Sequence, residues 1–168
     1  ISSSQSLPPS REFSRTGFEP VSSSLKNKII EHLIQIYGFD LTQLINSQHL
    51  QIWMRYEKIY LIPEVHLNHF SCLPFEYLGM LLGQFLNNSL RPSSEFISRF
   101  GHTFSKGKLK LNPFQAHQWV DGHDIRNPHT GLKAKGQYLL IVDDTGRNLG
   151  LGKLLEKRLR NLLPRGLI

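Results

Sequence analysis

A chain of 168 residues with 39% apolar and 20% charged side chains can bury one core, or two small ones that share it, and is too apolar to be disordered. Its formal charge of +7 and pI of about 9.7 point to an anionic partner: RNA, DNA, a nucleotide or an anionic membrane surface. The single cysteine, Cys72, excludes an intrachain disulfide and a thiolate metal cage, and the longest apolar run, Leu78 to Leu86, is too short and too glycine-interrupted to span a bilayer.

Ile1 to Ser24 is rich in Ser and Pro and reads as a linker, or as a tail that orders on contact. Leu25, Ile29, Ile30, Leu33, Ile34 and Tyr37 have helical spacing, with Ser22, Ser23 or Ser24 as N-cap and Gly38 as the stop. Phe39 to Leu44 is a short irregular or helical piece. Leu50 to Met54 and Lys58 to Ile62 are rich in β-branched and aromatic residues and predict a hairpin that ends at Pro63. Phe70 to Leu86, broken by Gly79 and Gly83, predicts two short strands bent at the glycines; a single buried helix is the alternative. Pro92 precedes a helix start at Ser93 to Ile97. Asn112 and Pro113 supply an N-cap and a first helical residue for a helix that Gly122 stops. Tyr138 to Val142 is a strand leading into a turn at Asp143 to Gly146. In the last segment Leu151, Leu154, Leu155, Leu159, Leu162 and Leu163 form a helical stripe, and an extended reading alternates poorly, so pattern alone favours a helix.

No residue set predicts a catalytic centre. His66 and His69 are spaced for one helical face, but no third ligand follows at a metal-site interval. His117, His123, Asp124 and His129 are close in sequence without a paired nucleophile. Cys72 sits in an apolar setting that marks an inert core thiol. Asp143-Asp144 could hold Mg²⁺, but adjacent acids at a turn are more simply turn formers. Gly150-x-Gly152-Lys153 has neither the Walker spacing nor that of a dinucleotide fold. Trp53 and Trp119 could each stack a base, yet each sits in an apolar pattern that predicts a core anchor.

The most informative stretch is Asp143 to Ile168. Gly146, Gly150 and Gly152 alternate with Arg147, Lys153, Lys157, Arg158, Arg160 and Arg165, and only Glu156 interrupts the positive run. Glycine lets a backbone approach a ligand closely, and flanking cations suit a polyanion, usually phosphate. The competing reading is an ordinary solvated basic face.

Two blocks resemble a known family. Leu111, Ala116, Trp119, Gly122, Asp124 and Ile125, at their spacing, look like a stretch of the bacterial RsmF-type RNA methyltransferases of the Nol/Nop/Sun family, which make 5-methylcytosine. Gly150-Leu151-Gly152-Lys153, followed by Leu159-Arg160-Asn161 and Pro164-Arg165, looks like that family's ending. A weaker similarity reaches back to Leu25 through the Trp53 to Pro63 hairpin and the Gly79/Gly83 segment. In the family this region follows the catalytic domain.

The resemblance implies an α+β chain with a linker at 1–24, a small mixed first C-terminal domain at 25–90, and a PUA-like RNA-binding β-barrel with short helices at 91–168. It implies structured RNA, ribosomal or transfer, as partner, together with the parent's own catalytic domain, in the cytoplasm. The chain begins without Met and reads as a piece of a longer protein. It lacks a Pro-Cys nucleophile and a glycine loop for S-adenosylmethionine, so both are expected in the parent's catalytic domain, with no cofactor here and no methylation by this chain alone. Lys153, Arg158, Arg160 and Arg165 would contact phosphate, with Arg147 and Lys157 in the same basic run. Gly150 and Gly152 would allow close approach, and Asn161 would bond a base edge or, more simply, cap the backbone. Glu156 departs from the family's small residue there. The family favours an extended last segment, against the leucine stripe. Two rival readings are a packing module without RNA contact and an enzyme centred on His117, His123 and His129.

Overall fold

The structure, a computed structural model, describes residues 17–69, 79–128 and 136–164. Two five-stranded sheets carry the helices. The first has the order β1 (Glu19–Pro20), β2 (Leu50–Arg55), β3 (Lys58–Pro63), β4 (Met80–Leu86), β5 (Ser89–Pro92). The second has β6 (Lys108–Lys110), β8 (Tyr138–Val142), β9 (Asn148–Leu154), β10 (Arg158–Asn161), β7 (Ile125–Arg126); β6 and β8 run parallel and the other neighbours antiparallel. One sheet curls as a half-barrel, and the α+β class holds. Among the described residues no helix is long and apolar enough to cross a membrane.

The tail reading through Ser24 gives way at Gly17. Phe18 is buried and β1 pairs with β2, so Phe18 to Pro20 already belong to the fold. Helix α1 (Ser23–Tyr37) starts where Ser22 accepts a hydrogen bond from the Leu25 N–H, and ends at Gly38 in the left-handed region, φ 62°. The piece after it is helical: Asp40 caps α2 (Leu41–Gln48) by accepting from Thr42 N–H at 3.0 Å. The β2–β3 hairpin forms as expected, with Tyr56 at its turn. Its strand β3 is buried at four successive residues because both faces are covered: Ile59 and Leu61 point to the main core, Tyr60 and Ile62 to a smaller cluster with Phe18 and Trp53. A short helix α3 (Glu64–His69) follows.

The glycine-broken segment differs from expectation. Met80–Leu86 is one continuous strand, and Gly83 lies within it, where a side chain would run into the Arg91 carbonyl. Gly79, at φ 72°, stands just before it, and Leu73 to Leu78 lie outside the described residues. Ser93 caps α4 (Ser94–Phe100), accepting from Phe96 N–H at 2.9 Å. Phe39, Phe96 and Phe104 then pack ring on ring with centroids 5.2–5.8 Å apart, and Tyr37 adds a fourth ring 4.9 Å from Phe104.

That aromatic seam belongs to a core that also takes Leu140, Val142 and Leu151 from the second sheet, so both sheets share it. The Tyr37 hydroxyl donates to the Tyr138 carbonyl at 2.9 Å, and burial, with Tyr138 beside it, pushes the Tyr37 pKa well above its ordinary value. The other face of the second sheet packs on α5 (Pro113–Val120). Asn112 and Gln115 cap that helix reciprocally, 2.8 and 3.2 Å, with Pro113 opening it as the sequence predicts. Trp119 is fully buried there and donates its indole N–H to Leu149 O at 3.0 Å.

The last segment is extended, not helical. Leu159, Leu154, Gly152 and Ile141 face Trp119, while Leu151 faces the shared core. A register shift between Leu140 and Val142 places an extra residue in β9 near Gly150, φ 95°, which breaks simple alternation. Leucines on both faces of a bulged, twice-covered strand pair thus mimic a helical stripe. The two glycines expected to admit a ligand admit protein instead. A Cβ on Gly152 would stand 2.8 Å from the Trp119 ring, and one on Gly150 2.6 Å from Leu163.

Two measurements test this packing. Gly152→Val should overpack the Trp119 core and lower unfolding free energy in urea by about 1–3 kcal/mol; an unchanged midpoint contradicts it. His32 has its pKa lowered by burial, below the ordinary 6.5, and its Nε2 accepts from Leu90 N–H at 3.4 Å. The unfolded chain therefore binds a proton first: this contribution is intact above about pH 6.5 and is lost as pH falls below it, and His32→Gln should flatten that slope.

Candidate nucleic-acid interface

Strand alternation on the second sheet decides where its charges go. Leu159 is fully buried against Trp119, so its neighbours Arg158 and Arg160 project from the opposite face, and both are exposed. Arg160 is paired across the strands with Lys153, and Lys153 with Tyr138. Arg158 is paired with Arg126 on β7. Cross-strand partners have Cβ atoms about 5 Å apart, so one face carries Tyr138, Lys153, Arg160, Arg158 and Arg126 as a contiguous patch. The β8 end of this face is closed by the shared core; the cations occupy the end left open.

Asp124 counters the patch only weakly. Arg158 Nη1 lies 3.6 Å from Asp124 Oδ2, a surface pair with the arginine side chain 56% exposed, worth little in water. The other Asp124 oxygen accepts from the Asn161 N–H at 2.8 Å. Lys153 Nζ sits 5.2 Å from the centroid of the Tyr138 ring, a cation–π contact that leaves its charge uncancelled. A polar groove of about 730 Å³ continues the patch toward α5, lined by Gln115, Gln118, His123, Arg126, Arg158 and the carboxylate of Asp124, with Phe114 71% exposed beside them.

Of the residues the sequence singles out, Lys153, Arg158 and Arg160 come together. Lys157 is exposed in the β9–β10 turn beside them. Arg147 does not join: it lies at the far end of the β8–β9 hairpin, its Nε 3.2 Å from Asp143 Oδ2. Gly152 faces Trp119 in the core, and the side of Gly150 where a Cβ would stand is taken by Leu163. Asn161 caps backbone: its amide donates to Trp119 O at 2.8 Å and His123 O at 3.2 Å, while its Oδ1 accepts from Leu163 N–H at 2.9 Å. Arg165 lies outside the described residues. Sequence reasoning misses Arg126 and Tyr138. Only strand register reveals them, since neither is near the glycine–lysine block in sequence.

The alternative chemistries find less support. Asp143 is a turn former: its Oδ1 accepts from Thr145 Oγ1–H, Arg147 N–H and Thr145 N–H, which hold its carboxyl below the usual range. His117 pairs with Asp121 at 3.5 Å, His123 lines the groove, and His129 lies outside the described residues, as does Cys72. Among the described residues no three His, Cys, Asp or Glu side chains gather as a metal site. Trp53 and Trp119 are both core anchors.

Residues 106–168 match the family model for the methyltransferase RsmF PUA domain. The chain is 30% identical over 122 residues to ribosomal RNA small subunit methyltransferase F of Psychromonas ingrahamii, covering 70% of this chain and 24% of that protein. It is 30% identical over 114 residues to the same-named protein of Aeromonas hydrophila, covering 68% and 23%. The chain thus spans about a quarter of the length of these relatives. In fold it is similar to a hypothetical protein of Pyrococcus horikoshii, with TM-score 0.55 and 11% identity over 88% of this chain and 96% of that one. A PUA domain protein of Thermoplasma acidophilum gives TM-score 0.50 and 14% identity over 89% and 94%. By these matches residues 106–168, which include the whole second sheet, carry the RsmF-type PUA domain, and the chain is similar over about two thirds of its length to ribosomal RNA small subunit methyltransferase F.

Proposed function

We propose that this chain is the RNA-binding module of a larger, S-adenosylmethionine-dependent RNA cytosine-C5 methyltransferase, and that it docks structured ribosomal RNA for a catalytic domain outside the chain. The observation that carries this reading is the convergence of Lys153, Arg160, Arg158 and Arg126 on one open face, with Asp124 as the acid beside Arg158. RNA helices are read mostly through shape, 2′-hydroxyls and phosphates, so a basic face with few base contacts is sufficient. The adjoining groove, with amide side chains and an exposed Phe114, adds hydrogen-bonding and stacking groups for an unpaired nucleotide.

The chain's own residues do not supply methyl-transfer chemistry. Its one cysteine is followed by Leu73 and Pro74 where a nucleophile motif would need a preceding proline, and the sequence has no glycine-rich cofactor loop. S-adenosylmethionine and the nucleophile are assigned to the rest of the parent, in the cytoplasm where ribosomal RNA is modified.

The test is a gel-shift titration of the 168-residue chain against a structured ribosomal RNA fragment at two salt concentrations. Lys153→Ala/Arg160→Ala should weaken binding and reduce the slope of log affinity against log salt by roughly 0.7–0.9 for each phosphate no longer neutralised. Arg147→Ala, already paired with Asp143 and remote from the patch, should leave both unchanged. Equal affinity for the double variant and the wild type would refute the assignment.

A further inference from the structure

A second concentration of positive charge lies where the two sheets meet. A cleft of about 410 Å³ separates the tip of the β4–β5 hairpin from strands β8 and β9, and its walls include Gln84, Asn87, Ser89, Arg91, Tyr138 and Lys153. Arg91 comes from β5, Lys153 from β9, and they approach the same aromatic ring: Arg91 Cζ is 5.9 Å and Lys153 Nζ 5.2 Å from the Tyr138 centroid. Among the described residues no carboxylate lines the cleft. The acid tied to its wall, Glu57, accepts from the Gln84 amide at 2.8 Å.

Both walls are fixed. Asn87 and Asn88 each adopt left-handed backbone, φ 52° and 57°, the conformation of a tight two-residue hairpin turn, and Gln84 is the cross-strand partner of Arg91. On the other side, the Tyr37 hydroxyl holds the Tyr138 backbone. Two like charges gathered on one ring in a recessed place repel each other, and a ring quadrupole only partly offsets this. An anion in the cleft that meets both offsets the repulsion, and the neutral donors Asn87 and Ser89 add hydrogen bonds to a phosphate.

We propose that this cleft binds a backbone phosphodiester of the RNA, so that the strand continues from the PUA face onto the first sheet, with Arg91 as a recognition residue outside residues 106–168. This rests on the RNA-binding reading and extends the contact surface to the chain's first half. Arg91 meets two phosphate oxygens side by side, Lys153 acts as a point charge, and Tyr138 spaces the two.

The test uses the 168-residue chain with the same RNA fragment, measuring anisotropy at two salt concentrations, and Arg91→Ala, Arg91→Lys and Arg160→Ala after circular dichroism confirms folding. Arg91→Ala should weaken binding about fivefold near physiological salt and lower the salt slope by about 0.7–0.9, while Arg91→Lys recovers the slope. If Arg160→Ala weakens binding and Arg91→Ala does not, the cleft proposal is overturned and the RNA reading stands. If the wild type binds no RNA, the RNA reading fails and with it the phosphodiester assignment. Inorganic phosphate followed by NMR at the arginine Nε–H groups separates the sources. A saturating Arg91 shift that Lys153→Ala abolishes supports a phosphate site in the cleft, and no shift overturns it.

Discussion

Everything at the candidate interface follows from what is buried behind it. Trp119 fills one face of the second sheet, and it fits because Gly152 has no side chain and Leu159 fully occupies its own position. Side chains alternate strictly along β10, so fixing Leu159 inward fixes Arg158 and Arg160 outward. A slip of one residue would exchange them, placing two guanidinium groups in a tryptophan core at a prohibitive desolvation cost. The charges are therefore held in place by hydrophobic packing. Their own mutual repulsion opposes the arrangement and is tolerated because the face is open to water.

The first half of the chain contributes by closing the rest of that same face. Leu140, Val142 and Leu151 join a core built mainly by α1, α4 and the first sheet, with the Phe39, Phe96 and Phe104 rings between them. The two sheets are consequently one packed body along this seam, and the Tyr37 to Tyr138 hydrogen bond ties the seam to the edge of the basic patch. The placement of the basic face and of Arg91 then depends on one continuous core, and a weakened seam would blur both.

Much of this is legible in the sequence, for identifiable reasons. Ser22 and Gly38, Ser93, and the Asn112-Pro113 pair mark helix ends because their side chains or backbones satisfy specific orphan groups, and those signals are local. The β2–β3 hairpin is legible from composition. The last segment is not legible from pattern, because a bulge at Gly150 and burial on both faces scramble the two-residue period; the family resemblance carries the extended reading instead. The glycines of that block read as openings for a ligand, yet a missing Cβ leaves room for whatever lies nearest, here Trp119 and Leu163. Lys153, Arg158 and Arg160 can be found from charge alone. Arg126, Tyr138 and Arg91 cannot, because their nearness to the patch is set by register and by the meeting of two sheets.

The central claim is that RNA meets the face of the second sheet opposite Trp119. Amide chemical-shift mapping of the 168-residue chain during titration with a structured ribosomal RNA fragment tests it most directly. Perturbations should concentrate at Arg126, Tyr138, Lys153, Arg158 and Arg160, and spare the Asp143 to Arg147 turn. Perturbations centred on that turn, or spread without preference over both faces, would contradict it.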